Sequence, residues 1–374
     1  LARNTDELVN MYRHMTETRV FDTKAVNLQR TGKLGTYASC LGHEATHVGL
    51  AAAMREDDVL APSYREYGAM FYRGVRMAEV LLYWGGDERG NNFAVPRHDF
   101  PWCVPIATQT LHAAGAAMAF KIRKEPRCAV AYIGDGGTSE GTFYEAMNLA
   151  GASRLPIVFV VVNNKWAISV PIEAQTAAQT LAQKGIAAGI PGVQVDGNDV
   201  IAVRDCVSRA LEKARGGGGP TVIEALSYRL SDHTTADDAS RYRDESEVAE
   251  AWKVEPLIRL RKLLEARGVL DEAREQAMKA QFAREVDEAL AHLRHPGIVA
   301  ISDFGVEGGR AVAVAVPARR DAPRRRARGE RLPRTHRRRV EPMRRGRCRS
   351  VPSARAIMPK PWRPDCVILN SPPT

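Results

Sequence analysis

Cysteine is scarce in this chain of 374 residues, and long apolar stretches are absent from it. The six cysteines are scattered and form no C-x-x-C pair. This distribution argues against a disulfide scaffold or a cysteine zinc cluster and favours a reducing cytoplasm. The longest apolar runs, of which residues 157–162 are one, are far shorter than the roughly 18 residues that cross a bilayer. We therefore expect a cytoplasmic protein without membrane contact.

The net charge of +10 hides an uneven distribution. Residues 319–374 contain 17 Arg and 1 Lys against 4 acidic residues, whereas residues 1–318 contain 36 basic and 40 acidic residues. The body of the chain is therefore mildly acidic, and we do not expect it to bind nucleic acid. An alternative is that the basic tail binds the phosphates of nucleic acid or lipid.

The tail also differs from the body in composition. Between residues 317 and 349, Arg, Pro, Ala and Gly make up 24 of 33 residues. Each of these four has a fourfold codon family whose first two bases are drawn only from G and C, which is what a G+C-rich gene yields when read out of frame. Because dense like charges repel and no apolar period is present, we expect the tail to be disordered. We predict a globular domain over residues 1–308 and a frame-shifted or foreign tail over residues 309–374.

The hypothesis of a frame-shifted tail can be tested by sequencing the gene and by shortening the chain. Resequencing the gene should reveal a base insertion or deletion near the codon of Gly309. A chain that ends at Gly309 should melt within a few degrees of the full-length protein, because an unfolded tail buries little apolar surface. A tail that resists proteolysis, or a fold that collapses when the tail is removed, would contradict this hypothesis.

The middle of the chain alternates between strand and helix patterns. Residues 128–133 and 156–162 are apolar runs, the second typical of a strand buried on both faces, and residues 139–151 between them have a helical pattern. This spacing predicts a βαβ unit in a parallel sheet. A helix over residues 200–214 and a strand over residues 221–226 repeat the alternation. The expected fold class is α/β, with a parallel sheet flanked by helices.

Polar and glycine residues follow both strands of the predicted βαβ unit. Gly134-Asp135-Gly136-Gly137 follows the first strand, and Asn164 follows the second. Because parallel strands end at the same sheet edge, Asp135 and Asn164 are expected to approach each other there. One carboxylate and one amide oxygen suit Mg²⁺ that brings phosphate ligands with it. The glycines would allow the backbone to approach a diphosphate at the start of the next helix.

These residues resemble the thiamine-diphosphate signature. Together with further segments, they resemble the alpha subunit of the 2-oxo-acid dehydrogenase first component. The further segments are residues 35–38, 63–65, 104–109, 165–169, 189–197 and 233–238. The resemblance covers roughly residues 7–290. It implies a thiamine-diphosphate-binding fold, oxidative decarboxylation of a 2-oxo acid, and transfer of the acyl group to a lipoyl arm.

The resemblance also assigns roles to individual residues. Asp135, Asn164 and the backbone carbonyl of Trp166 would hold Mg²⁺. Further contacts to thiamine diphosphate would come from Tyr64, Arg65, Val104, Ile106, Gly134, Gly136 and Gly137. His233 would be the catalytic histidine on a loop over the cofactor. A carboxylate beside it, Asp232, is expected to favour the protonated imidazole.

The same resemblance implies partners. Thr108 and Gln109 match a loop that holds a structural K⁺ in some members. The carboxylate that activates thiamine is expected on a beta subunit, so the chain would form an α2β2 tetramer that serves a lipoyl-bearing acyltransferase core. The small residues 113–117 suit close packing between subunits. Residues 134–169 and 188–197 look most like pyruvate-specific members, and branched-chain 2-oxo acids are the alternative substrates.

One motif points to a different class of enzyme. His43-Glu44-Ala45-Thr46-His47 matches the H-E-x-x-H of zinc metallohydrolases, in which both imidazoles share one helix face. The segment lies where the resembled family has a Gly-x-Glu-Ala helix start, and no H-x-x-G-x-x-H extension follows. A metallohydrolase is therefore kept only as an alternative.

Overall fold

The computed structural model describes residues 4–292, 301–307 and 310–315 of the chain. The chain divides into two units, Leu1–Arg319 and Arg320–Thr374, and the second lies outside the described residues. Most of the predicted tail, 309–374, therefore lies outside them too. No helix in the described part of the chain is both long and apolar enough to cross a membrane.

Helices and strands alternate through much of the described chain. The helices are α1 (Thr5–Arg30), α2 (Glu44–Ala53), α3 (Tyr67–Tyr72), α4 (Met77–Trp84), α5 (Thr108–Arg123), α6 (Gly141–Ala152), α7 (Ile172–Gln175), α8 (Val200–Lys213), α9 (Glu245–Trp252), α10 (Pro256–Ala266) and α11 (Glu272–His292). The strands are β1 (Val59–Ala61), β2 (Ala129–Gly134), β3 (Ile157–Asn163), β4 (Trp166–Ala167), β5 (Val170–Pro171), β6 (Gly192–Asp196), β7 (Thr221–Leu226), β8 (Ile301–Glu307) and β9 (Arg310–Ala315).

The main sheet has five parallel strands in the order β1-β2-β3-β7-β6. The predicted βαβ unit is β2-α6-β3, and the α/β fold class with a parallel sheet flanked by helices is confirmed. β3 is buried at every residue, as expected for a strand with helices on both faces. Two short antiparallel pairs, β4-β5 and β8-β9, lie outside this sheet. The predicted boundary between residues 308 and 309 falls between β8 and β9 in the sequence.

Alternate residues of each central strand face opposite layers of helices, because side chains in a strand alternate between its faces. Ala131 and Phe159 belong to a cluster with α5 and α6. Val130 and Val158 belong to a second cluster with α2 and α8. The small residues 113–117 contribute Ala113, Ala114 and Ala117 to the first cluster. These three alanines therefore pack inside this chain, and the predicted role of the segment in subunit packing does not extend to them.

The close contact between α2 and α8 predicts how the free energy of unfolding changes when a glycine in it is replaced, and a glycine outside it provides a matched control. A Cβ on Gly49 of α2 would lie 2.8 Å from the Val200 carbonyl oxygen and 2.9 Å from Val203 Cβ, whereas a Cβ on Gly115 of α5 would meet nothing within 4 Å. Gly49→Ala should lower the free energy of unfolding by about 1–3 kcal/mol, because the helices are already in contact. Gly115→Ala should raise it by up to about 1 kcal/mol, because Ala favours the helix.

Urea unfolding of the two purified variants, followed by circular dichroism, measures both changes. An equal gain in stability for both variants would show that α2 and α8 are less closely packed than described.

Candidate active site

A pocket of about 260 Å³ opens at the carboxyl edge of β2 and β3. Nearly all of the residues assigned from the sequence to the cofactor line it. They are Tyr64, Arg65, Ile106, Gly134, Asp135, Gly136, Gly137, Asn164, Trp166 and His233. Val104 does not line it, and its side chain is 47% exposed. The strand ends and the loops around them thus bring distant parts of the sequence to one place.

The buried carboxylate of Asp135 stands at the end of β2. Its backbone N–H donates to the Val162 carbonyl oxygen of β3 at 3.0 Å, which fixes the residue to the neighbouring strand. Its Oδ2 accepts a hydrogen bond of 2.7 Å from Gln175 Nε2. Burial raises the pKa of Asp135, while Gln175 and the Asn164 backbone oppose this rise. The carboxylate therefore lies next to Asn164, as the strand spacing predicts.

The other two oxygen donors assigned to Mg²⁺ follow directly after β3. Asn164 Oδ1 accepts the Trp166 backbone N–H at 3.1 Å. The Trp166 carbonyl oxygen accepts from Arg229 Nη1 at 3.2 Å. These hydrogen bonds hold the turn between β3 and β4 in shape, so both oxygens belong to an ordered segment beside Asp135.

Two glycines form the turn after Asp135 because side chains would not fit there. A Cβ on Gly136 would lie 2.6 Å from Ala167 Cβ, and a Cβ on Gly137 would lie 2.7 Å from Ile133 Cγ1. Both distances are below the closest approach of real Cβ atoms. The turn therefore lies close against its surroundings and exposes backbone to the pocket.

Two arginine guanidinium groups flank the pocket. Arg65 is buried, and its Nη2 donates to the His233 carbonyl oxygen at 2.9 Å. Arg229 is fully buried and donates to the Ile168 carbonyl oxygen and to the Tyr242 hydroxyl, each at 2.8 Å. Within the described contacts, neither guanidinium forms a salt bridge with a carboxylate. Two positive charges therefore lie beside the pocket, which favours an anionic ligand.

The imidazole of His233 faces these two arginines. Its Nδ1 lies 3.4 Å from Arg65 Nη2 and 3.4 Å from Arg229 Nη1. Burial and the two positive charges lower the pKa of His233 to about 3. Because guanidinium N–H groups can only donate, Nδ1 is the acceptor and the ring proton resides on Nε2.

The prediction that Asp232 favours a protonated His233 is wrong. Asp232 Oδ1 accepts the Ala239 backbone N–H at 3.0 Å and so serves the loop. The carboxylate near the histidine is Asp237, whose Oδ2 accepts the His233 backbone N–H at 2.9 Å. Its charge does not outweigh burial and the two arginines. Adjacency in the sequence did not place the Asp232 carboxylate against the ring.

Comparison with known proteins assigns the chain to a family. Residues 12–300 match the family described as "Dehydrogenase E1 component". The chain belongs to this family. The 3-methyl-2-oxobutanoate dehydrogenase subunit alpha of Mycobacterium tuberculosis is 46% identical over 271 residues, which are 72% of this chain and 74% of the relative.

Relatives that are named as pyruvate dehydrogenase subunits match over a similar length. The pyruvate dehydrogenase E1 component subunit alpha of Mycoplasma genitalium is 42% identical over 286 residues, 76% of this chain and 80% of the relative. The protein of the same name in Staphylococcus aureus is 41% identical over 288 residues, 76% of this chain and 78% of the relative. The dehydrogenase E1 resemblance found in the sequence is thus confirmed.

The E1 family implies thiamine diphosphate as the cofactor, and the pocket fits it. The donors at the sheet edge are a carboxylate, an amide oxygen and a carbonyl oxygen, which suit a hard cation such as Mg²⁺. Gly136 and Gly137 line the pocket, so the backbone of their turn can approach a bound diphosphate. Arg65 and Arg229 supply positive charge beside it.

The zinc-protease motif has a different role in this E1 chain. Glu44 is buried, its Oε1 accepts from Arg19 Nε at 2.5 Å, and its Oε2 accepts the Gly42 backbone N–H at 3.0 Å. His47 Nε2 lies 2.9 Å from the Tyr132 hydroxyl. The described residues contain no group of three or more His, Cys, Asp or Glu that could hold a metal ion. Glu44 thus serves the helix start and an ion pair, which does not support the metallohydrolase alternative.

Several pocket residues were not predicted as cofactor contacts. His43 lines the pocket, is buried, and has no partner for either ring nitrogen. Glu66 lines it too, accepts from Ser63 Oγ at 2.8 Å, and has its pKa raised to about 7 by burial. Two further residues, Arg229 and Gln175, lie beside the pocket and contact Trp166 and Asp135. Arg229 could have been found from the sequence, because it follows the end of β7 at the same sheet edge. No sequence pattern singles out Gln175.

The loop assigned to K⁺ contains one buried acceptor. Gln109 Nε2 donates to the Tyr132 carbonyl oxygen at 2.7 Å, while Gln109 Oε1 is buried without a hydrogen-bond partner. Thr108 begins α5. Cys103 Sγ lies 3.8 Å from the Pro105 carbonyl oxygen. Gln109 thus supplies one oxygen of the kind that a monovalent cation would require.

The buried histidines should make the E1 chain less stable in acid. Burial lowers the pKa of His47 to about 3 and is the main cause of the similar pKa of His233. Histidines in the unfolded chain titrate near 6.5, so below that pH the unfolded state binds more protons than the folded state. The free energy of unfolding should therefore fall by up to about 1.4 kcal/mol per pH unit for each histidine as the pH falls from about 6.5 to about 3.

Urea unfolding midpoints between about pH 7.5 and pH 5 measure this slope. His47→Gln removes one titrating group and should flatten the slope. A slope identical to that of the original chain would show that His47 is not the neutral, buried group described.

Proposed function

We propose that this chain is the alpha subunit of a pyruvate dehydrogenase (acetyl-transferring). The enzyme would decarboxylate pyruvate oxidatively and transfer the acetyl group to the lipoyl arm of a partner acyltransferase. The observation that carries the proposal is the pocket at the β2-β3 edge, where oxygen donors, two buried arginines and a neutral histidine meet. The names of the Mycoplasma and Staphylococcus relatives support pyruvate as the substrate.

Each group of the pocket would have a defined task. Asp135, Asn164 Oδ1 and the Trp166 carbonyl would hold Mg²⁺ on the diphosphate. Arg65, Tyr64, Gly134 and the backbone of the glycine turn would bind the diphosphate oxygens, and Ile106 would contact the aminopyrimidine, with Val104 beside it from its exposed position. Thiamine diphosphate supplies the nucleophilic carbon and the electron sink that decarboxylation needs. Gln109, with Thr108, would hold a structural K⁺.

His233 would work as a neutral imidazole. Its Nδ1 is engaged by the two arginines, so Nε2–H is the group that can donate a hydrogen bond to substrate. It would position the 2-oxo acid or its developing charge rather than carry a permanent positive charge. The arginines thereby fix the tautomer of the histidine as well as binding phosphate.

A beta subunit would complete the active site. The carboxylate expected to activate thiamine is not among the assigned residues of this chain, so the proposed assembly is an α2β2 tetramer that delivers acetyl groups to a lipoyl-bearing acyltransferase core. The test is to purify the chain alone and together with a beta subunit. We expect decarboxylation only from the pair, and appreciable turnover by the lone chain would contradict the assembly.

A second candidate substrate is 3-methyl-2-oxobutanoate, because the Mycobacterium relative that bears this name is 46% identical. Turnover of pyruvate and 3-methyl-2-oxobutanoate by the reconstituted pair, measured side by side, separates the candidates. A higher kcat/KM for pyruvate is expected, and a clear preference for the branched acid would change the substrate assignment while leaving the cofactor site intact.

The remaining proposals concern location and domain limits. The four described cysteines are free thiols, which suits a cytoplasmic enzyme. We place the catalytic domain in residues 1–308 and assign the basic tail, 309–374, no catalytic role.

Removing the Asp135 carboxylate should weaken cofactor binding. Asp135→Ala deletes the only carboxylate in the proposed Mg²⁺ site, and the affinity for thiamine diphosphate should fall by at least the roughly 10-fold that 1.4 kcal/mol represents. Isothermal calorimetry on the α2β2 enzyme measures it. The control is Asp57→Ala, which removes an exposed carboxylate. Equal affinities in both variants would rule against this cation site.

Removing the His233 imidazole should reduce turnover. His233→Ala is expected to lower the kcat of the assembled enzyme by about 100-fold or more, the usual loss for an acid–base or positioning group. His98→Ala, at an exposed histidine, should leave kcat unchanged. Wild-type turnover in the His233 variant would show that its ring does not contact the reacting groups.

A further inference from the structure

A glutamine outside the predicted site contacts the carboxylate of Asp135. Gln175 is the last residue of α7, directly after the β4-β5 hairpin. Its Nε2 donates to Asp135 Oδ2 at 2.7 Å and to the Val170 carbonyl oxygen at 3.0 Å. One side chain thus connects the hairpin that begins with Trp166 to the turn that follows β2.

The orientation of the Gln175 amide is determined by these contacts. Both acceptors can be served only by the NH₂ group, and a flipped amide would place Oε1 against the carboxylate of Asp135. In the described orientation Oε1 is buried and has no hydrogen-bond partner. An unpaired buried acceptor costs free energy. The amide thus makes two N–H hydrogen bonds and leaves Oε1 without a partner.

Gln175 acts on the Asp135 side chain and not on its backbone. The Asp135 carbonyl oxygen accepts from the Thr138 N–H at 3.1 Å and from Thr138 Oγ1 at 2.7 Å. Lys184 Nζ donates to the Thr138 carbonyl oxygen at 3.0 Å and so holds the far side of the turn. Because Thr138 holds the backbone of the turn, the Asp135 carboxylate itself is oriented by the Gln175 side chain together with the Asn164 backbone.

We propose that Gln175 is a positioning residue of the cation site. By holding Oδ2 of Asp135, it fixes the orientation of the carboxylate that would hold Mg²⁺. The inference rests on the proposed thiamine-diphosphate function, because it concerns the cation of that site. Carboxylates that ligate metals depend on such partners, and losing one typically costs 10- to 100-fold in metal affinity.

The test uses Gln175→Met in the assembled α2β2 enzyme. Methionine keeps an unbranched side chain of similar length but removes the N–H donors. Thiamine-diphosphate binding is followed by calorimetry while Mg²⁺ is varied. The half-saturating Mg²⁺ concentration should rise about 10-fold or more, and the thiamine-diphosphate affinity at saturating Mg²⁺ should return close to the original value. Gln179→Met, at an exposed glutamine of the same segment, should change neither quantity.

Two results would overturn the inference. An unchanged half-saturating Mg²⁺ concentration in Gln175→Met would show that the carboxylate needs no support. Weaker cofactor binding at every Mg²⁺ concentration, with a lower melting temperature of the cofactor-free enzyme, would make Gln175 only a tether of the hairpin through Val170. By contrast, Mg²⁺-independent cofactor binding by the unaltered enzyme would overturn the cation site in the proposed function, and the inference with it.

Discussion

The parallel register of β2, β3 and β7 is the constraint on which the site depends. Gly134 pairs with Val162, and Asn163 pairs with Leu226. The three strands therefore end at one level, and the chain leaves all of them at the same edge. A change of register would move the residues that follow each strand apart, so sheet pairing and site geometry cannot be altered separately.

The two arginines buried at this edge destabilise the folded chain but also serve the site. Arg65 and Arg229 are buried beside each other and interact with oxygen atoms of carbonyl and hydroxyl groups. Like charges in a low-dielectric environment destabilise the folded chain. Burial and these same charges keep His233 neutral by lowering its pKa, and the charges would be compensated by a diphosphate. A bound anionic cofactor should therefore stabilise the fold as well as enable the reaction.

The role of the H-E-x-x-H motif is set by distant partners. On α2, Glu44 pairs with Arg19 of α1, and the same arginine donates to Glu255 at 2.7 Å. His47 meets the Tyr132 hydroxyl in the sheet. His43 instead lines the cofactor pocket. The residues of this motif thus take part in an ion pair, a contact in the core and the wall of the pocket. The spacing of the motif predicts none of these contacts.

The sequence by itself determined the βαβ unit and the strand-end positions of Asp135 and Asn164, because strand periodicity and the turn glycines are local properties. It placed β2 and β3 to within a residue or so. It missed β1, which has only three residues, and β6, an edge strand that is largely exposed and contains no apolar run.

Only the tertiary structure decided the surroundings of the site. Gln175 reaches Asp135 across 40 positions of sequence, Arg229 reaches Trp166 across 63, and Arg65 reaches His233 across 168. Such contacts leave no periodic signal in the chain. For the same reason the neighbour in sequence, Asp232, was wrongly taken as the partner of His233, whose pKa is set by burial and by arginines that approach from other segments.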